Sequence, residues 1–141
     1  MKDTWDKKAK TWIIYIEGGL VRDKDDPGGE TKYGISKRAY PNLDIASLTE
    51  DDALRIYKRD YWDKCDCDNL PYGMDLEVFD CAVNMGPNAS MALMNNAPTY
   101  EDHILNRIER YINISAKNAN LKKFFRGWVI RCIKLRHVVE G

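Results

Sequence analysis

The stretch from Glu17 to Ile35, "EGGLVRDKDDPGGETKYGI", is where the helical spacing of this chain breaks down. Before it, Trp5, Ala9, Trp12, Ile13 and Ile16 recur at the three-to-four spacing of one helix face, and Gly18 can take left-handed geometry where that helix stops. Within it, two short apolar stretches flank D-D-P-G-G, which reads as a small hairpin or long turn. Beyond it the helical period returns. "SLTEDDALRIYKRDYW" offers Thr49 or Ser47 as a cap, with Glu50, Asp51 and Asp52 at the positive helix end, and predicts a helix to Trp62. "CDCDNLPYG" reads as a loop. "MDLEVFDCAVNMGP" reads as a short helix closed by Gly86 and Pro87, with Leu76, Phe79, Ala82 and Val83 on its core face. Glu77, Asp80 and Asn84 fall on an adjoining face, a position suited to a cleft wall. A short helix over 88–96 follows. Two core helices end the chain, one with Ile104, Ile108, Tyr111, Ile112 and Ser115 inward, the other with Leu121, Phe124, Phe125, Trp128, Cys132, Leu135 and Val139. The prediction is a mainly α domain spanning 1–141, with one small β-hairpin or extended turn inserted after its first helix.

A chain of 141 residues, 44% apolar and 31% charged, has the make-up of a globular protein with one core. No apolar run reaches the length that crosses a bilayer. The opening "MKDTWDKKAKTWIIYIEGG" ends its apolar stretch on a glutamate rather than a small-residue cleavage site, so it is not read as a signal peptide. Action outside the cytoplasm would then need another exit route. Net charge is zero but unevenly spread: residues 1–102 carry 13 bases and 20 acids, residues 103–141 carry 9 and 2. The basic third suits either an acidic face of the same molecule or an external polyanion. No nucleic-acid-binding signature accompanies it, and no nucleic-acid partner is expected. Cys65, Cys67, Cys81 and Cys132 lack the paired spacing of a zinc site and read as buried reduced thiols, with a late disulfide as the alternative, so no metal is expected.

The chemistry concentrates at Glu17. A carboxylate at a helix C-terminus faces the negative end of the macrodipole, which disfavours its charge by about 0.3–1 kcal/mol. A useful general acid also needs partial burial and nearby negative charge, which Asp23, Asp25 and Asp26 can supply, with Arg22 and Lys24 opposing. Glycoside hydrolysis requires two carboxylates across a sugar–sugar bond, one protonated and one ionised. Glu17 on a helix end and Asp26 on a facing hairpin fit that need, with the Thr31 hydroxyl available to hold water. The same residues are equally good plain turn chemistry. Calcium is not expected, because "DKDDPGGE" lacks the alternating ligands of an EF-hand.

These residues carry a resemblance. Glu17, Gly18, Gly19, Asp26, Pro27, Gly28, Gly29, Thr31, Gly34 and Ile35 stand at the fixed positions of E-G-G-[aromatic]…D-P-G-G-x-T-x-x-G-I, the signature of the glycoside hydrolase family 108 lysozymes, with Leu20 in place of the aromatic. "LTEDDALRIYKRDYW", "LPYGMDLEVFDCAVNMGP" and "FFRGWVIR" are similar to further segments of that family, whereas "PNASMALMNNAPTYEDH" is shorter than its usual peptidoglycan-binding-like segment. The resemblance implies a lysozyme-like, α-rich fold and an N-acetylmuramidase of bacteriophage endolysin type. Such an enzyme cuts the β-1,4 bond between N-acetylmuramic acid and N-acetylglucosamine without metal or cofactor. It implies Glu17 as catalytic acid, with Asp26 and Thr31 completing the arrangement.

Asp80 and Asn84 are similar to an Asp and Asn of the family, and either hydrogen-bond the glycan or brace the hairpin. Tyr33, Trp62 and Tyr72 either stack on sugars or belong to the core. Trp128 is expected in the core, and His103 and His137 on the surface. The implied partner is bacterial peptidoglycan, met by a monomer, with anionic wall or outer-membrane components as a further contact of the basic third. Release to the periplasm by a holin-type lesion is also implied. The rival readings are a non-catalytic wall-binding protein of the same fold and a hydrolase of chitin or chitosan.

Overall fold

The computed structural model describes residues 3–18, the backbone of 20–22, and residues 29–141. A π-helical turn, Trp5–Ala9, leads into α1, Lys10–Glu17, which ends at Gly18 with φ 72°. A Cβ at that φ is strained, and the glycine lets the chain leave the helix directly after Glu17. Three short strands follow, β1 (Leu20–Arg22), β2 (Glu30–Lys32) and β3 (Ile35–Ser36), in the antiparallel order β1-β2-β3. Leu20 pairs with Lys32 and Arg22 with Glu30, so the expected hairpin exists and residues 23–29 join its strands. Lys32 pairs with Ile35, closing a two-residue turn of Tyr33 (φ 52°) and Gly34 (φ 78°). Positive φ at both central residues is the hairpin turn whose twist matches its strands.

Helix α2, Glu50–Tyr57, starts in a capping box. The Asp52 N–H donates to Thr49 Oγ1 at 3.1 Å, and the Thr49 N–H donates to the Asp52 carboxylate. A π turn carries α2 on through Trp62, as expected. Helices α3 (Met74–Met85), α4 (Pro87–Ala92), α5 (Tyr100–Lys117) and α6 (Lys122–Glu140) complete the fold. Thr99 and Asp102 form a second capping box on α5. The core centres on Trp5, Trp62 and Phe79, whose ring centroids lie 5.4–5.5 Å apart in tilted and edge-on contacts. Helix α3 runs through the middle against α4, α5 and α6, buried on every side from Met74 to Ala82. Among the described residues no helix is long and apolar enough to cross a membrane.

The two last helices correct the expected core faces. Helix α5 turns His103, Arg107, Tyr111 and Ser115 inward and leaves Ile112 exposed. His103 is therefore a core residue, not a surface one. Helix α6 buries Cys132, Leu135 and Val139, but Phe124 is exposed and Trp128 is only partly covered, stacked between Tyr111 and Phe124. On α5 the physical reason is that the buried acids Glu77 and Asp80 of α3 take His103 and Arg107 as partners, which turns the polar stripe inward. The four cysteines are buried, and none is in a disulfide. Burial pushes the Cys81 thiol up to about 12 and the Cys132 thiol up to about 11, so neither is a nucleophile at neutral pH.

Candidate active site

Glu17 is the last residue of α1, and its side chain is 21% exposed. Three pieces of the fold converge on it. From the sheet, the Tyr33–Gly34 turn comes so near that a Cβ at position 34 would lie 2.8 Å from Glu17 Oε2 and 2.3 Å from the Tyr57 hydroxyl. Only glycine lets the turn sit there. From α2, the Tyr57 hydroxyl donates to the Tyr33 carbonyl at 2.5 Å, which pins the backbone of a non-glycine residue in left-handed geometry. Burial, and then the adjacent Glu17 charge, push the Tyr57 phenol well above its ordinary value, so it remains a donor. From α6, Arg131 Nη1 donates to Glu17 Oε1 at 2.8 Å. This cation opposes the negative helix end at Glu17.

Arg131 is itself held. Its Nε donates to Asp80 at 3.0 and 3.2 Å. Asp80 also accepts from Trp12 Nε1 at 2.8 Å and from Arg107 Nη2 at 2.8 Å. Burial opposes the charge of Asp80, but the Arg131 and Arg107 guanidiniums outweigh it and hold the carboxyl below the usual range. Burial likewise opposes the charge of Arg131, and Asp80 and Glu17 keep it a cation. Arg107 Nη1 continues the chain to Glu77 Oε1 at 2.6 Å, and its Nε donates to the Tyr111 hydroxyl at 2.7 Å. The Tyr111 hydroxyl donates to Asn84 Oδ1, and His103 Nδ1 meets Glu77 Oε2. A continuous line of alternating charge thus links Glu17 to the interior. Glu77, Cys81 and His103 lie close enough to hold a cation, but both Glu77 oxygens are already engaged, by Arg107 and His103.

The expected site residues separate into groups. Glu17 stands at the helix end as expected. Asp26 lies outside the described residues. Thr31 is at the centre of β2, opposite Val21 and Ser36, and partly buried. Tyr33 is partly buried in the turn beside Glu17. Asn84 is partly buried and bonded to Tyr111. Two expectations need correction. Asp80 is wholly buried with its oxygens occupied by Trp12, Arg107 and Arg131, so it braces the site instead of meeting a glycan. Trp62 is 0% exposed in the ring cluster and offers no face for a sugar. Tyr72 is 50% exposed, but its hydroxyl donates to the Val139 carbonyl and accepts from Lys8, about 12 Å along α6 from Arg131. Sequence reasoning missed Arg131, Arg107 and Tyr57. No local signal marks the arginines, because their partners on α1 and α3 are distant in sequence.

A glutamate at the end of an opening helix, faced by a small antiparallel sheet and backed by a helical bundle, defines a mainly α protein of lysozyme-like fold. The family profile of "Glycosyl hydrolase 108" matches residues 10–86, more than half of the chain, and the protein belongs to that family of glycoside hydrolases. Among solved structures the chain is similar to "Structure of Brucella abortus SagA", at TM-score 0.79 and 23% identity, covering 96% of this chain and 93% of that one. At that identity the likeness concerns the fold. A comparison with curated proteins finds no match.

Proposed function

We propose that the protein is a peptidoglycan hydrolase that cleaves the β-1,4 bond between N-acetylmuramic acid and N-acetylglucosamine. The observation that carries this reading is Glu17 itself, partly exposed at the end of α1, fixed through Oε1 by Arg131 and set against the Gly34 turn. Oε1 is committed to the guanidinium, so Oε2 is the oxygen that gives a proton to the glycosidic oxygen. Asp26, on the connection between β1 and β2, supplies the second carboxylate and stabilises the oxocarbenium-like state or directs water, and Thr31 positions that water. Tyr33, beside Glu17, offers a ring to the sugar, and Asn84 an amide to its acetamido or hydroxyl groups.

The chain works as a monomer of bacteriophage endolysin type, made in the host cytoplasm and reaching the wall through a holin-type lesion. Digestion of purified peptidoglycan followed by mass spectrometry of the fragments tests the reading. Wild type releases products ending in reducing muramic acid, and Glu17→Gln loses about 100-fold or more of that activity while keeping its fold. Full activity in Glu17→Gln removes Glu17 from the mechanism. Products ending in reducing glucosamine move the cut to the other bond, and turnover of chitin alone favours the chitinase reading.

A further inference from the structure

The contacts of α1 and the π turn before it with α6 form a ladder that leads away from Glu17. Arg131 meets Glu17 at 2.8 Å, Lys134 Nζ meets the Tyr15 hydroxyl at 3.4 Å, and Lys8 Nζ donates to the Val138 carbonyl at 3.0 Å. Beside this ladder lies an open groove of about 500 Å³. Its floor is apolar and aromatic, formed by Trp12, Tyr15 and Val138, with Tyr15 63% exposed. Its rim carries Lys7, which also pairs with Asp3, together with Lys134 and His137, and among the described residues none of the side chains lining it is acidic. In a protein of zero net charge, whose residues 1–102 are strongly acidic, this is a local concentration of base. Lys134 also sits 5.6 Å from the centroid of the Tyr15 ring, so the aromatic surface is held beside a cation.

We infer that this groove binds the acidic peptide that a peptidoglycan strand carries, as a second contact on the substrate beyond the sugars. The inference rests on the reading of the chain as a peptidoglycan hydrolase. The glycan backbone is neutral where muramic acid is joined to its peptide, so the negative charge near the scissile bond belongs to the peptide's carboxylates. Those carboxylates are separated by small apolar side chains, which suits a groove with cations on its rim and an apolar floor. A volume of this size is that of a pocket for a small ligand of a few residues. A flat anionic membrane would meet the rim lysines but leave the concave floor unfilled. The ladder gives the geometry its direction: Lys134 lies three residues after Arg131, so the groove opens about one turn of α6 along from the Glu17–Arg131 pair.

The test compares two polymers, peptide-bearing glycan strands and the same strands stripped of peptide by an amidase. Wild type should show a KM about fivefold lower on the peptide-bearing strands, the size that two partly screened charge pairs give. Lys134→Glu should erase that preference and leave turnover of stripped strands unchanged. Equal KM values in wild type, or an equal loss on both polymers in Lys134→Glu, would overturn the inference. A titration separates it from the hydrolase reading. Glu17→Gln is titrated by NMR with the free stem tetrapeptide, of sequence Ala, Glu, diaminopimelate, Ala, and with anionic vesicles. Peptide-induced shifts at Tyr15 and Lys134 support the groove even if wild type cuts neither polymer. Shifts with vesicles alone assign the groove to a membrane surface and overturn it.

Discussion

The two sides of Glu17 are built by different means. On the α6 side the carboxylate is held by charge, through Arg131, Asp80, Arg107 and Glu77, a line of ions with almost no access to water. On the sheet side it is held by closeness of backbone, through a glycine turn pinned by one phenol. Buried ions are intolerant of losing a partner, because the survivor stays charged where water cannot reach it. A backbone approach is intolerant of volume and indifferent to charge. Substitutions on the α6 side should therefore act first on stability, and those on the sheet side first on the reaction.

The largest effect is expected from Arg107→Leu. It leaves Glu77 and Asp80 short of a buried partner and should cost about 3–5 kcal/mol in denaturant unfolding. A cost below about 1 kcal/mol would mean that the ion line is not what anchors α5 to α3. Acid should strike the same side. The folded carboxyl of Asp80 is held below its unfolded value of about 3.9, so its stabilisation is fully present above that pH and is lost as pH falls through the depressed folded value. Thermal melts should therefore weaken steeply below about pH 4, and Asp80→Asn, measured against wild type, should flatten that dependence.

Gly34→Ala comes next and reverses the balance. Its Cβ would overlap the Tyr57 hydroxyl and press on Glu17, so hydrolysis should fall tenfold or more, for a stability loss of about 1–3 kcal/mol. If activity and stability fell in the opposite proportion, the contrast between the two sides would fail. Tyr57→Phe is the mildest. It removes the donor to the Tyr33 carbonyl and should cost about 1 kcal/mol, with a modest rise in KM as the turn loosens. Unchanged kinetics and stability in this variant would show that the Tyr33–Gly34 turn holds its own geometry.

Much of the helical framework was legible because it is written in local chemistry. Thr49 with the acids that follow it marks one helix start, and Gly18 and Gly86 mark two ends. Glu17 was legible for the same reason, since its place at a helix end depends on its neighbours alone. What could not be read was which stripe of α5 and α6 turns inward. Apolar periodicity put Ile104, Ile108 and Ile112 inward beside Tyr111 and Ser115; the fold keeps Tyr111 and Ser115 and turns in His103 and Arg107 in place of the isoleucines. That choice depends on Glu77 and Asp80, some 30 residues away in sequence, and a pattern count carries no term for an ion pair. Arg131 escaped notice on the same ground, because its partner Glu17 is 114 residues distant.

That distance has a consequence for the order of synthesis. A ribosome delivers position 17 long before position 131, and until the final helix has emerged and docked, the glutamate lacks the guanidinium that aims it. A nascent chain that still lacks α6 would thus hold the Glu17 carboxylate without its guanidinium, and its orientation would wait on the docking of that helix.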